Sequence, residues 1–420
     1  MWPDEPSSDF IGESPLPTPP EDKKPKGKKK LAPTEVVPFA VVRQHLEKQY
    51  GAGVLVPARG MVSLAIPRIP FGIFPLDYAL VGGLPAARIS LLSGQKGCGK
   101  STGALKASAN YQRLCSRCCL WREQCQCAQP EQSMVVWIDV EGVFDPAWAE
   151  VMGVDLDENR FYLGRPEFAE QAIDIIDAVL RTNEVGFVVL DSIAQMTPTT
   201  EIEDTAMNWQ QGLQARLVNK MMRKVVSAVQ EGRRQGRMPT VLLINQLREK
   251  VTGFGHSIPM VEPGGRGQLF GSSVVIRMRQ KEIHWEGSDK SRPPQAVTMG
   301  FKVQYSKVSP PGMEGEFTLA LKDYEAVRKG ESDDFRAVMG FAKRTGYVRK
   351  SLEKPGWYAG DKEFRTLAEI TETWLQNRDD FAKAQLAIVE RAHAPQSVPH
   401  TLSEEDEADG EAFGQGPGGV

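Results

Sequence analysis

Apolar and polar positions along this chain fall into blocks whose period switches repeatedly. From Thr34 onward, Val37, Val41, Val42 and Leu46 recur at helical spacing until Gly51 and Gly53 end the helix. A helix this short cannot bury its apolar stripe alone, so it must dock on its own domain or on a neighbouring subunit. Pro70 to Leu84 reads as a turn, a helix and a Gly-Gly stop. An apolar strand over Ile89 to Leu92 and a helix-forming run from Thr102 to Gln112 follow. The alternation continues with a strand from Met134 to Val140 that ends in acids, an amphipathic helix from Phe168 to Leu180 and a strand from Gly186 to Asp191. A long helix from Leu213 to Arg233 and a strand from Thr240 to Asn245 complete it. Strands alternating with helices predict an α/β fold with a mainly parallel sheet covered on both faces, and ligand chemistry at the carboxyl ends of its strands. Beyond Lys307 the character changes: Pro310-Pro311-Gly312, a strand from Glu316 to Leu321, then charged helical patterns from Asp333 to Ala392 that suit a small separate C-terminal domain.

Composition narrows the class. With 420 residues, 41% hydrophobic and 25% charged, the chain can bury a substantial core and more than one domain. No apolar run is long enough to cross a bilayer, and an N-terminus with Asp4, Glu5 and prolines lacks a signal-peptide core, so the expected compartment is the cytoplasm. A net charge of −3 gives no global basic signature, and nucleic-acid contact would have to come from local patches. Charge is instead segregated at the ends, with Lys23, Lys24, Lys26, Lys28, Lys29 and Lys30 in a Pro/Ser-rich tail and Glu404, Glu405, Asp406, Glu407, Asp409 and Glu411 near the finish.

The strand Ile89 to Leu92 runs into Gly94-Gln95-Lys96-Gly97-Cys98-Gly99-Lys100-Ser101-Thr102, a P-loop in strand-loop-helix context. Its glycines let backbone N–H groups turn inward around a phosphate chain, and the new helix points its positive end at the anion. Lys100 supplies charge for the β- and γ-phosphates and Ser101 a hydroxyl for the Mg²⁺ that bridges them. Cys98 reads as a small filler rather than a nucleophile. Nucleotide binding is therefore the first functional expectation.

Three strand ends extend it. Asp191 closes an apolar strand as an acid supporting the P-loop Mg²⁺ does. Glu141, after Trp137-Ile138-Asp139-Val140, is a candidate base for a water beside the γ-phosphate; alternatively it caps the next helix. Asn245-Gln246 places an amide where it could sense the γ-phosphate or simply satisfy a strand end. On the long helix, Arg216, Lys220 and Arg223 lie opposite Leu217, Val218, Met221 and Val225. Such faces are usually only solvated, but flanking loops over Asp204 to Gly212 and Arg248 to Gly267, the second carrying Arg248, Lys250, Phe254, His256 and Arg266, suit single-stranded nucleic acid. Five of six cysteines crowd between Cys115 and Cys127. Cys115, Cys118, Cys125 and Cys127 could wrap one Zn²⁺ in thiolates or remain unligated thiols on a surface insertion.

The ordered set of motifs resembles the bacterial RecA recombinases from about Val36 to Ala392. The likeness rests on Leu46-Glu47-Lys48-Gln49-Tyr50-Gly51, Pro75-Leu76-Asp77-Tyr78-Ala79-Leu80 with Gly82-Gly83-Leu84-Pro85, the P-loop, and Asp139-Val140-Glu141 with Phe144-Asp145-Pro146. Leu190-Asp191-Ser192, Thr197-Pro198, Glu201-Ile202-Glu203, Asn245-Gln246-Leu247-Arg248, Gly264-Gly265 and Gly356-Trp357-Tyr358 add to it. The resemblance implies a RecA-like ATPase core, and an ATP-dependent filament on single-stranded DNA that pairs it with a homologous duplex and exchanges strands. It also implies roles: Lys100 and Ser101 on phosphates and Mg²⁺, Glu141 as catalytic carboxylate, Gln246 as γ-phosphate sensor, and Lys307 reaching a neighbour's ATP. Asp145 and Trp148 fall where adenine is held, and Gln211, Arg216, Asn219, Arg223, Arg248, Lys250 and Val251 fall at DNA-contacting positions. Phe270 falls where an aromatic crosses to the next subunit, and the Val36 to Gln49 helix docks there, giving a heterologous contact that does not close.

The implied organisation is a tail over 1–33, an oligomerisation segment over 34–60, the core over 61–325 with a cysteine insertion at 113–131, a DNA-binding C-terminal domain over 326–394 and an acidic tail over 395–420. Tyr305 and Leu269 stand where the family has lysines at the subunit interface, and the cysteine insertion and lysine-rich tail are additions. A ring helicase on the same core would keep the P-loop, Glu141 and Asp191 but has no use for the N-terminal helix. A mediator that binds ATP and DNA without exchange is the non-catalytic alternative.

Overall fold

The computed structural model describes residues 37–51, 54–55, 66–127, 133–203, 212–249, 260–287, 290–325, 327–352 and 355–393. The chain divides after Ala65 into two units. In the first, a helix runs over Phe39–Tyr50, starting two residues after Val37, the first position of the apolar spacing, with Pro38 at its entry. Gly51 ends it at φ 96°, its N–H bonded to Glu47 O at 2.9 Å. Phe39, Val41, Val42 and Tyr50 are exposed on it, and none of its residues is buried within its own unit.

In the second unit the apolar runs form one eight-stranded sheet: β1 (Ile89–Gly94), β2 (Met134–Asp139), β3 (Phe161–Gly164), β4 (Val185–Asp191), β5 (Thr240–Gln246), β6 (Val274–His284), β7 (Ala296–Ser306) and β8 (Glu314–Ala320). Their spatial order is β8-β7-β6-β1-β5-β4-β2-β3. The pairs from β6 to β3 are all parallel, whereas β6–β7 and β7–β8 are antiparallel. The expected mainly parallel sheet is thus present, with an antiparallel edge that the helix alternation does not announce. The strand expected over Glu316 to Leu321 is the outermost strand of this sheet, two residues earlier in its start.

The central strands are buried on both faces, so period-2 alternation sorts their side chains into two cores. Leu92, Val135, Trp137, Phe187, Val189, Leu242 and Ile244 pack against the P-loop helix Lys100–Tyr111 through Ala104, Leu105 and Ala107. Leu91, Val136, Ile138, Val188, Leu190, Val241 and Leu243 face the helices Ala169–Val179 and Leu213–Arg234 through Ile173, Ile176, Met221 and Val225. Each such aliphatic side chain contributes about 1.5–3 kcal/mol through burial. Gly186 lies in β4 because Tyr111 Oη crosses where its Cβ would stand, 1.8 Å away.

Register sets the site. Gly94 of β1 is opposite Gln246 of β5 and Met278 of β6, and Asp139 of β2 is opposite Asp191 of β4, so the chemistry-bearing residues sit side by side at the carboxyl ends. The C-terminal segment adds helices Phe335–Arg344, Leu367–Gln376 and Arg378–His393 and a three-stranded antiparallel sheet over Val348–Lys350, Trp357–Ala359 and Lys362–Phe364. Its apolar cluster of Val338, Ala342, Ile370, Trp374 and Ile388 takes in Phe74 and Tyr78 from ahead of β1. Asp334 accepts Phe74 N–H at 2.7 Å across that junction.

Candidate active site

After β1 the backbone turns through Gly97 and Gly99, both at positive φ, and the helix Lys100–Tyr111 begins. Two glycines are also required by space. A Cβ on Gly94 would lie 2.4 Å from Met278 O, and one on Gly99 would lie 2.0 Å from Met299 Sδ. Cys98 is fully buried beneath the loop, the filler the sequence suggests. Lys100 is buried, and its Nζ donates to Gln95 O at 2.7 Å, folding the cation over the loop. Gln95, Lys96, Gly97 and Ser101 are exposed around it, and Thr102 is partly buried.

Ser101 Oγ donates to Asp191 Oδ2 at 2.7 Å. Burial pushes the Asp191 carboxyl up to about 6; Glu141 adds to the rise, while the Ser101 hydroxyl and Lys100 oppose it. Glu141 Oε1 accepts from both Ser192 Oγ and Gln246 Nε2, so the candidate base and the candidate sensor are directly bonded. Asp139 holds the turn that presents Glu141, its carboxylate accepting from Gly142 N at 2.8 Å, Val143 N at 3.3 Å and Phe144 N at 3.0 Å. Leu247 N donates to Gly94 O at 3.0 Å, tying the residue after Gln246 to the P-loop strand.

These groups surround a cavity of about 410 Å³ lined by Lys96, Gly97, Gly99, Lys100, Ser101, Thr102, Glu141, Trp148, Asp191 and Gln246. Trp148 enters it with Nε1–H donating to Thr102 Oγ1 at 3.3 Å, and Lys329 Nζ stands 5.7 Å from its ring. Asp145 is exposed and is not among the lining residues; its carboxylate caps the helix Pro146–Val151 by accepting Trp148 N–H at 3.1 Å. An apolar wall of Ile283, Pro294, Val297, Met299, Leu319 and Leu321 comes from β6 to β8. Sequence reasoning missed this wall because it is assembled from strand ends remote in sequence. It also missed Asp139 and Ser192, although an Asp three residues before a glycine in a turn carries a readable signal.

Other expected residues lie elsewhere. Lys307 is exposed outside the cavity, its Nζ 3.3 Å from Phe270 O and 5.7 Å from the Tyr305 ring. Arg216 and Arg223 are exposed on the Leu213–Arg234 helix, and Asn219 and Arg223 line a groove with Phe270, itself 74% exposed. Arg248 donates to Ala194 O at 3.1 Å from the short strand Arg248–Glu249, which pairs with Met260–Val261. Gln211, Lys250 and Val251 lie outside the described residues. Cys115, Cys118, Cys125 and Cys127 converge beyond the far end of the P-loop helix.

A P-loop joined to a parallel sheet, with an acid bonded to its serine and a second acid bonded to a strand-end amide, defines an α/β P-loop protein of the nucleotide-binding class. Comparison with known proteins narrows this. The model of the RecA N-terminal domain matches residues 39–323. Protein RecA of Cutibacterium acnes is 34% identical over 309 residues, 73% of this chain and 80% of that protein. Protein RecA of Streptomyces avermitilis is 31% identical over 364 residues, covering 84% and 86%, and that of Streptomyces coelicolor 33% over 302 residues, covering 72% and 73%. The chain belongs to the RecA family.

Proposed function

We propose that this chain is an ATP-dependent homologous recombinase, which forms filaments on single-stranded DNA in the cytoplasm, pairs it with a homologous duplex and exchanges strands with DNA-dependent ATP hydrolysis. The observation that carries the reading is the hydrogen bond between Glu141 and Gln246. It joins the carboxylate able to activate water to the strand that leads, two residues on, into the segment expected to touch DNA.

The donor set fits a magnesium nucleotide. Gln95 O and Asp191 already hold Lys100 Nζ and Ser101 Oγ, the two groups that phosphates and a hard cation would claim. Lys100, Ser101 and Asp191 would hold Mg²⁺ and the β- and γ-phosphates, the ion supplying neutralisation of phosphate charge when bound. Glu141 takes a proton from a water whose oxygen attacks the γ-phosphorus while the bond to the β,γ-bridging oxygen breaks. Before that step, when the triphosphate binds, Gln246 exchanges Glu141 for a γ-phosphate oxygen, and that exchange is relayed along Leu247 and Arg248. Trp148 offers its indole face to the base. Lys307 supplies one cation toward a neighbouring subunit's nucleotide, with Tyr305 in place of a second.

The test is D-loop formation with ATP. Wild type should form joint molecules; Lys100→Ala should form none, and Glu141→Gln should form joints while losing about 10²–10⁴-fold in hydrolysis. Normal joints from Lys100→Ala would remove the phosphate role, and none from wild type would leave the mediator alternative.

A further inference from the structure

We propose that the insertion after the P-loop helix is a structural zinc site, with Cys115, Cys118, Cys125 and Cys127 as its four thiolate ligands. The four sulfur atoms all lie within 4.8 Å of one another, and Cys118 Sγ and Cys125 Sγ are 3.5 Å apart. Zinc–thiolate bonds of about 2.3 Å arranged tetrahedrally put sulfurs about 3.8 Å apart, the scale of this cluster. A disulfide needs about 2.05 Å, and all six cysteines of the chain are free. Thiols are weak donors and acceptors, so nothing in their own hydrogen bonding accounts for four of them converging.

The backbone is organised for thiolates as well. Cys119 N donates to Cys115 O at 2.8 Å, closing a turn that brings Cys115 and Cys118 to the same side, and Cys119 stands at φ 53° with its own side chain in the core. Cys127 N–H also donates to Cys125 Sγ at 3.3 Å. Amides directed at sulfur are what stabilises metal-bound thiolate and fixes its orientation. A Zn(Cys)₄ centre carries a formal charge of about −2, and the sequence around it holds Arg113, Arg117 and Arg122. Arg122 Nε and Nη2 are buried without a hydrogen-bond partner among the described residues.

Four thiolates leave no open position, so the ion binds no substrate. The P-loop helix has 12 residues, which puts about 18 Å of helix between the loop and the cysteines. The ion therefore anchors the carboxyl end of that helix and takes no part in phosphate chemistry. The loop is fixed to the core beside it through the Leu114–Trp121 bridge and Ser133 Oγ–H to Leu114 O.

The full chain, purified without added metal and then equilibrated with Zn²⁺ and desalted, should retain about one equivalent. Co²⁺ in its place should show the intense thiolate-to-metal charge-transfer bands of a tetrathiolate site. Four thiols should become reactive only after chelation, with ATP turnover at moderate temperature changing less than about twofold and thermal resistance lost. Cys118→Ser combined with Cys125→Ser should abolish retention, whereas Cys119→Ala should keep it. Less than about half an equivalent in the wild type, a cobalt spectrum without thiolate bands, or undiminished zinc in the double variant would each overturn the site. The first two measurements need no variant to fold.

Discussion

Gly99→Ala compared with Gly97→Ala isolates what the P-loop demands of space from what it demands of backbone. Both glycines are left-handed, at φ 83° and 76°, so an alanine at either costs about 1–2 kcal/mol in the folded chain. That is offset by roughly 0.4–1 kcal/mol because alanine restricts the unfolded chain more than glycine. At Gly97 the added Cβ meets only Gln280 Oε1 at 3.5 Å, an ordinary contact, and the net loss should be about 1 kcal/mol. At Gly99 it would lie 2.0 Å from Met299 Sδ and 3.0 Å from Met299 Cε, and Met299 is 2% exposed. A normal carbon contact needs about 3.5–4 Å, so Met299 must retreat by about 1.5–2 Å inside packed core, which adds about 1–3 kcal/mol. Equilibrium urea unfolding without nucleotide or Mg²⁺ should therefore rank wild type above Gly97→Ala above Gly99→Ala, the variants separated by about 1–3 kcal/mol. A separation below about 0.5 kcal/mol would refute the steric half of the reasoning. In a double-mutant cycle, Gly99→Ala and Met299→Ala together should cost less than the sum of their separate losses, since the second change removes the obstructing sulfur.

Three further outcomes are expected. Gln246→Met should remove DNA stimulation of hydrolysis, and its double-mutant cycle with Glu141→Gln should show coupling of about 1.5–3 kcal/mol, measured from steady-state turnover; strictly additive losses would separate the two residues. Trp148→Ala should raise the KM for ATP about 2- to 10-fold with kcat nearly unchanged, and an unaltered KM would remove the indole from base recognition. Burial pushes Asp77 up to about 8 and Asp334 up to about 6, with Lys106 and Glu331 and Asp333 around them. Because the folded state holds these protons more tightly than the unfolded chain, the contribution is complete at low pH and is lost as pH rises through about 6 and then about 8. The melting temperature should accordingly fall between pH 5.5 and pH 9, and a rise over that interval would contradict it.

The parallel half of the sheet was legible because β1, β2, β4 and β5 are near-continuous apolar runs, each ending in glycine, acid or amide. The antiparallel edge was not. Val274 to Met278 is mostly buried between neighbours, but from Arg279 onward β6 leaves β1 and pairs only with β7, so Arg279, Gln280, Lys281 and Glu282 are exposed and the strand loses its apolar signature midway. Lys100, Ser101, Glu141, Asp191 and Gln246 could be named in advance because each occupies a fixed place at or soon after the end of a strand. Ser192 and the apolar wall could not, since their part depends on which strand ends become neighbours. Asp145 shows the converse: the helix-capping bond it makes is a local event that motif matching alone does not weigh.

Because Gly94, Asp139, Asp191 and Gln246 are aligned by strand pairing and not by one continuous loop, the cavity is a readout of ladder register. Sliding any one of these strands by a single residue would carry its functional group about 3.3 Å out of line and turn the neighbouring side chain to the opposite face. A chain caught partway through folding, with β4 or β5 not yet inserted, therefore holds every P-loop residue and still lacks the cavity. A nascent polypeptide therefore acquires the assembled site only when its last interior strand is seated.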